Sequence, residues 1–305
     1  MRTVMERLRD GLDGFPATER RVAHRILADY PVAGLQSASD LARDVGVSAP
    51  SVLRMVSRMG FASYPDFQRV MREELTAQLS SPLSKSPAAT RRQMGTTVAP
   101  RLQKFVTVLE GNLHETFTHL PTAEFDRVVR LLADRRLRLH LIGGRFTDAL
   151  ARYLSAQLRI VRPGVNHLED QEDNWYDQVL DMGKRDVLIV FDIRRYQPSL
   201  LRLAEAAAKR QARLVLVTDQ WLSPISRLAA HVLPARVAVP SVWDSSVALM
   251  AIVEALLAEA TQLDWEYGQK RMRELEAVRD AAPSSAKAVS AAKKAPVRRG
   301  AAGKR

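Results

Sequence analysis

The sequence predicts two folded parts: an all-α unit built around a helix-turn-helix, and an α/β unit whose parallel sheet is flanked by helices. Three observations carry this reading. Residues 1–79 hold only helical-period apolar patterns, residues 101–280 alternate β-rich runs with helical ones, and residues 80–100 between them have no apolar period.

In the first part, Val22, Ala23, Ile26, Leu27 and Tyr30 recur at helical spacing, and Pro31 ends the run. Ser37-Ala-Ser-Asp40 has the form of a capping box and opens a short helix through Asp44. Val45-Gly46-Val47 makes a tight turn. Ser48 then opens a second helix that runs to Met59, with Gly60 as its stop, and Tyr64-Pro65-Asp66 starts a last helix towards Leu79. Two short helices about a glycine turn give the helix-turn-helix geometry, whose second helix enters the major groove of double-stranded DNA. Val52, Met55, Val56 and Met59 fall on the core side. Ser51, Arg54 and Arg58 fall on the other, with Ser48 and Ser57 beside them, open to phosphates and base edges. Pro50 lacks an N–H, so the Ser48 hydroxyl is expected to accept from the Ser51 amide. A plain helical hairpin with a solvated arginine face satisfies the same spacing.

In the second part, two helical stretches (about 101–119 and 122–134) lead into the strand LRLHLIG, and a helix follows from Thr147 to Ile160. A short Val165-Asn166-His167 strand and an acidic segment come next, the latter reading as a solvated loop. Then come DVLIVFD, a helix around 198–210, RLVLVTD, a short helix near Pro224, HVLPARV and a long helix at 244–262. His140, inside a strand, reads as a core or sheet residue.

Ligands of open parallel sheets sit beyond the carboxyl ends of the strands. Those ends deliver Gly143, Gly144, Arg145, Phe146 and Thr147, then Asp192, Arg194 and Arg195, then Thr218 and Asp219. The helix opening near Thr147 offers amides that favour an anion. Each piece has a structural alternative: a tight turn at Gly143-Gly144, an ion pair of Asp192 with Arg194 or Arg195, and a turn cap at Thr218-Asp219. Ser245, in Asp244-Ser245-Ser246, stands at the start of the last helix, where it reads as a cap.

The net charge of +12 suggests an anionic partner, yet it is unevenly spread. Residues 1–80 carry +1, 81–100 carry +3, 101–280 carry +1, and 281–305 carry +7 with no acid. The last segment, rich in Ala, Pro, Lys and Arg, reads as a disordered basic tail that adds salt-sensitive phosphate contacts. The 80–100 stretch reads as a linker. With no cysteine, disulfides and thiolate metal sites are excluded, and no cofactor or metal is expected. No run is apolar enough to span a bilayer and the N-terminus lacks a signal peptide's core, so the reading is soluble, cytoplasmic and free of any membrane.

From Phe15 to Leu75 the chain resembles the N-terminal domain of the RpiR-type (MurR/RpiR) bacterial transcription regulators. The resemblance rests on Thr18-Glu19-Arg20, Leu41-Ala42, Gly46-Val47-Ser48, Val52-Leu53-Arg54 and Gly60-Phe61 in that order. Residues 101–262 look like the SIS (sugar isomerase) domain that follows in that family. The resemblance implies a phosphate-binding Gly-x-Gly-x-Ser after the first strand and Ser-x-Ser-Gly after a later one. This sequence has Gly143-Gly144-Arg145-Phe146-Thr147 and Asp192-Ile193-Arg194-Arg195 instead. Guanidinium groups thus stand where hydroxyls and open backbone are expected. The resemblance also implies a pocket-lining serine near the start of the last helix, a place that Ser245 fills. The implied function is a sequence-specific, homodimeric transcription regulator, not an enzyme, with a small-molecule effector that is anionic or a phosphorylated sugar. The alternatives are a SIS-type isomerase and a non-specific DNA-binding protein that uses the tail.

Overall fold

The computed structural model describes residues 3–79, 97–168 and 171–281. The segment 282–305, and with it nearly all of the expected tail, lies outside the described residues, as does most of the expected linker. Of that linker, residues 98–100 already belong to a helix.

The helical unit comprises α1 (Val4–Gly11), α2 (Ala17–Ala28), α3 (Val32–Leu35), α4 (Ala38–Val45), α5 (Ala49–Arg58) and α6 (Tyr64–Leu79). The Ser37 hydroxyl accepts from the Asp40 amide at 3.1 Å and starts α4. Gly46 ends it in the left-handed region at φ 68°, where glycine carries no Cβ penalty. Val22, Ala23, Ile26, Leu41, Val52 and Met55 are fully buried together, and Phe61 meets Phe67 edge-on at 5.4 Å. The expected Ser48 cap is absent, because its hydroxyl lies 3.0 Å from the Ser51 hydroxyl and the Ser51 amide bonds the Ser48 carbonyl.

The second unit comprises α7 (Val98–His119), α8 (Thr122–Ala133), β1 (Arg138–Gly143), α9 (Asp148–Val161), β2 (Val165–His167), α10 (Glu172–Leu180), β3 (Asp186–Asp192), α11 (Pro198–Lys209), β4 (Arg213–Asp219), β5 (His231–Ala235), α12 (Val247–Leu263) and α13 (Trp265–Ala281). The five strands are all parallel, in the order β2-β1-β3-β4-β5. Alternate residues separate onto two faces. Leu139, Leu141, Val187, Ile189, Phe191, Val215 and Val217 pack with α8, α9 and α12. Leu188, Val190, Leu214 and Leu216 pack with α10 and α11. A strand buried on both faces needs a continuous apolar run, and DVLIVFD supplies one.

Four helices are not legible in the sequence: α1 reads only as a terminus, α3 falls in the gap between Pro31 and Ser37, α10 reads as part of an acidic segment, and α13 carries no element of its own. Of the acidic run His167, Glu169, Asp170 and Glu172, His167 is buried with its Nε2 2.8 Å from Asp148 Oδ1, Glu172 is exposed but opens α10, which Trp175 and Val179 anchor, and Glu169 and Asp170 lie outside the described residues. α1 also joins the two units. Val4 and Leu8 enter the helical core, Met5 enters the core beneath the sheet, and Glu6 pairs with buried Arg236 at 2.8 Å.

The strand order changes direction between β1 and β3, so their carboxyl ends frame a crevice. Gly143 is needed there, since an added Cβ would lie 2.4 Å from the Asp148 amide nitrogen and 2.5 Å from the Thr147 carbonyl carbon. At Gly144 the nearest atom would be at an ordinary 3.5 Å. Gly143→Ala should therefore cost on the order of 1–3 kcal/mol in urea denaturation while Gly144→Ala stays near wild type. Equal costs would contradict this packing.

Candidate functional site

The crevice holds a cavity of about 510 Å³. Its walls come from the loop after β1 (Gly144, Arg145, Phe146, Thr147), the loop after β3 (Asp192, Ile193, Arg194, Arg195, Gln197, Pro198) and the segment before α12 (Val242, Trp243, Asp244, Ser246). The sequence-expected residues Gly144, Arg145, Thr147, Asp192, Arg194 and Arg195 thus meet at one place. Their roles differ from those expected.

Thr147 is a staple. Its buried hydroxyl donates to the Phe191 carbonyl at 2.6 Å and accepts from the Gly144 amide at 2.9 Å, tying the β1 loop to β3. The start of α9 is also occupied: the Asp148 and Leu150 amides bond the Gly144 and Thr147 carbonyls, and the Asp148 carboxylate takes the Gly143 amide and His167. The Gly143, Gly144, Asp148 and Leu150 amides are thus spent on the fold and do not face a ligand.

Asp192 pairs with neither arginine. It accepts from the Ser223 hydroxyl and, at 3.3 Å, from the Gln197 amide. Arg194 is instead held by Asp244, with Nε 2.8 Å from Oδ2 and Nη2 on Oδ1, and its guanidinium lies 5.2 Å from the Trp221 ring centroid. The expected local ion pair is replaced by a bidentate one reaching fifty residues along the chain. Ser245 does not line the cavity; its hydroxyl accepts from the Val247 amide at 3.2 Å, and Ser246 stands at the wall instead.

Two cations remain. Arg145 and Arg195 are exposed at the cavity and meet no carboxylate among the described residues. Beside them Phe146 and Trp243, both more than half exposed, pair edge-on at 5.8 Å. This aromatic wall is not legible in the sequence, because Phe146, a position of no assigned role in the motif after β1, and Trp243 are nearly one hundred residues apart. Arg195 sits at φ 64°, in the left-handed region that the resembling pattern fills with glycine. An arginine in that conformation stores strain, of a kind that collects at ligand sites.

Burial dominates the two carboxyls at the strand ends and raises both, Asp192 to about 6 and Asp219 to about 6. Bonds from Ser223 and Gln197 to Asp192, and from Arg194, Tyr196 and Trp221 to Asp219, offset part of that rise.

The other candidate surface is α5. Val52, Met55, Val56 and Met59 are buried as expected, and Arg54, Ser57 and Arg58 are exposed, with Ser48 exposed just before the helix. Ser51 is the correction: it is buried, and its hydroxyl accepts from Arg54 Nη2 at 2.9 Å. Leu53, 46% exposed, joins this face and offers an apolar contact of the kind thymine methyls accept.

A helical unit of this geometry followed by a ligand-mouthed parallel sheet defines a DNA-binding regulator with a sensor domain. Residues 2–78 match the helix-turn-helix domain of the rpiR family, and residues 131–259 match the SIS domain. The chain belongs to the RpiR-type transcription regulators. It is similar to an HTH-type transcriptional regulator of Haemophilus influenzae, 22% identical over 225 residues, covering 71% of this chain and 74% of that one. The solved sugar isomerase domain of an RpiR transcription factor from Sphaerobacter thermophilus is 25% identical with a TM-score of 0.52, covering 57% of this chain and 97% of that one. The bifunctional protein glk of Paraburkholderia xenovorans is 25% identical over 221 residues, 71% of this chain, but this chain spans only 33% of its length. Among the described residues no helix is long and apolar enough to cross a membrane, and no cluster of metal-ligating side chains occurs.

Replacing Arg195 with Gly removes a left-handed penalty of about 1–2 kcal/mol and adds about 0.5–1 kcal/mol of chain flexibility. The variant should be more stable by on the order of 0.5–1 kcal/mol in urea denaturation, and a less stable variant would contradict the strain.

Asp192, raised when folded, contributes stability that is fully present below its unfolded value near 4 and lost as pH rises through about 6. Asp192→Asn is insensitive to that loss. Its stability relative to wild type should improve by on the order of 1–3 kcal/mol between pH 4 and 7, and a pH-independent difference would contradict the burial argument.

Proposed function

We propose that the cavity at the ends of β1 and β3 binds a small anionic effector, of the phosphorylated-sugar class or another sugar-derived anion, and that its occupancy regulates DNA binding by α5. The observation that carries this is the pair of uncompensated arginines, Arg145 and Arg195, beside an aromatic wall. A guanidinium fork suits a phosphate or carboxylate, and the faces of Phe146 and Trp243 suit the apolar side of a ring. Catalysis is not assigned to this site. Proton transfer needs a base free to reach its substrate, and both carboxylates in the lining are already engaged, Asp192 by Ser223 and Gln197 and Asp244 by Arg194.

Coupling runs through Asp219. Its carboxylate accepts from the Arg194 amide, the Tyr196 hydroxyl and the Trp221 amide. Tyr196 and Trp221 also line a groove of about 300 Å³ whose opposite wall is Met5, Leu27 and Tyr30 of the helical unit. An anion that draws on Arg194 or displaces Asp244 would move the loop that this groove rests on. The effector thereby biases two arrangements of the helical unit, through direct contact as well as through residues 80–100.

The working form is a homodimer, so that two α5 helices meet half-sites about one helical turn, ~34 Å, apart on double-stranded DNA. Val98, Leu102 and Val106 recur every fourth residue on α7 and are 61%, 60% and 43% exposed, forming an apolar stripe that suits a second copy.

Thermal-shift measurements should show sugar phosphates raising Tm where the parent neutral sugars do not, with the shift lost in Arg145→Ala and in Arg195→Ala. Equal shifts from neutral sugars, or isomerised product in the same samples, would refute the anionic sensor. Leu102→Glu with Val106→Glu should halve the mass found by light scattering, and an unchanged mass would place the dimer contact elsewhere.

A further inference from the structure

Beneath the reading face of α5 lies a buried acid. Glu19, in the first turn of α2, has a side chain only 3% exposed, yet it stands against both arginines of the adjacent helix. Its Oε2 is 3.0 Å from Arg58 Nε and its Oε1 is 3.7 Å from Arg54 Nε. Both arginine side chains remain more than half exposed, and Arg54 Nη2 is further held by the Ser51 hydroxyl at 2.9 Å. The contacts to Glu19 are ion pairs on the Nε atoms, and Arg54 also commits Nη2 to Ser51, which leaves Arg54 Nη1 and both Arg58 Nη atoms outside these contacts.

A carboxylate in this position is costly twice over. It is desolvated, where an apolar side chain would pack at least as well, and it repels the phosphates that a DNA-binding surface attracts. Its gain is selectivity. Base edges require a guanidinium fork in one orientation, whereas phosphates accept a cation in almost any. A shared buried anion fixes two flexible side chains and cancels part of the charge they would otherwise spend on phosphate.

Resting on the assignment of α5 as the DNA-reading helix, we propose that Glu19 is a specificity-determining positioning residue: it presents Arg54 and Arg58 to base edges and restrains them from sequence-independent phosphate contacts.

The test uses the full chain, the duplex that the wild-type protein enriches from a random-sequence pool, and a scrambled duplex of equal length. Glu19→Gln should bind the scrambled duplex more tightly, with the slope of log affinity against log salt steeper by about 1. The ratio of enriched to scrambled affinity should fall on the order of tenfold. In an Arg54→Ala, Arg58→Ala background the same change should leave the slope unaltered, which a merely structural effect on stability would not do. Arg58→Lys, which keeps the charge but removes the Nε tether, should also lower the ratio and serves if Glu19→Gln fails to fold. An unchanged ratio in both Glu19→Gln and Arg58→Lys would overturn the proposal. Steepening that persists without the arginines would overturn it too. Failure of the wild-type protein to enrich any duplex would remove the assignment of α5 itself.

Discussion

One buried carboxylate organises the ligand end of the sheet. Asp219 is fully buried at the end of β4 and accepts from the Arg194 amide at 2.6 Å, the Tyr196 hydroxyl at 2.9 Å and the Trp221 amide at 2.9 Å. These three donors come from the loop after β3 and from the turn after β4, so a single side chain holds both in place. A buried charge is tolerated only where such donors surround it. The loop it holds carries Arg194 onto Asp244 and leaves Arg195 at the cavity. The same contacts set Tyr196 and Trp221 against the helical unit.

The resulting site has an economy different from the one that the family resemblance implies. Hydroxyls and open backbone are expected to hold a phosphate there, but Thr147 is spent joining β1 to β3, and Asp192 is spent on Ser223 and Gln197. The proposed effector recognition rests instead on Arg145, Arg195, Phe146 and Trp243 at the cavity wall. Arg195 holds a left-handed conformation suited to glycine, a strain that local propensity does not explain. Arg54 and Arg58 stand against buried Glu19 and Arg194 is paired with Asp244, while Arg145 and Arg195 meet no acid among the described residues.

Most of the fold was legible because its signals are local. Apolar runs of strand length, a capping serine at Ser37 and a glycine stop at Gly46 place the strands of the sheet and the turn of the helix-turn-helix within a few residues. What escaped depends on contacts between distant segments. α1 has too few residues to declare itself until Val4, Met5 and Leu8 find two separate cores. α10 hides its two anchors, Trp175 and Val179, among acids. At the site, sequence named the right strand ends but not their partners: Arg194 reaches Asp244 and Phe146 reaches Trp243 only after the chain has folded. Ser51 misled because helical spacing places it towards the open side of α5, while Ser48 and Arg54 close over it.

The central claim is that the state of the mouth reaches the DNA-binding unit through Asp219 and its donors. Hydrogen–deuterium exchange on the wild-type chain and on Arg194→Ala addresses it without any knowledge of the effector. Loss of the Arg194–Asp244 pair should quicken exchange in residues 242–246 and also in Val4–Gly11, with α7 unchanged. Faster exchange confined to the mouth, with Val4–Gly11 as slow as in wild type, would contradict the account.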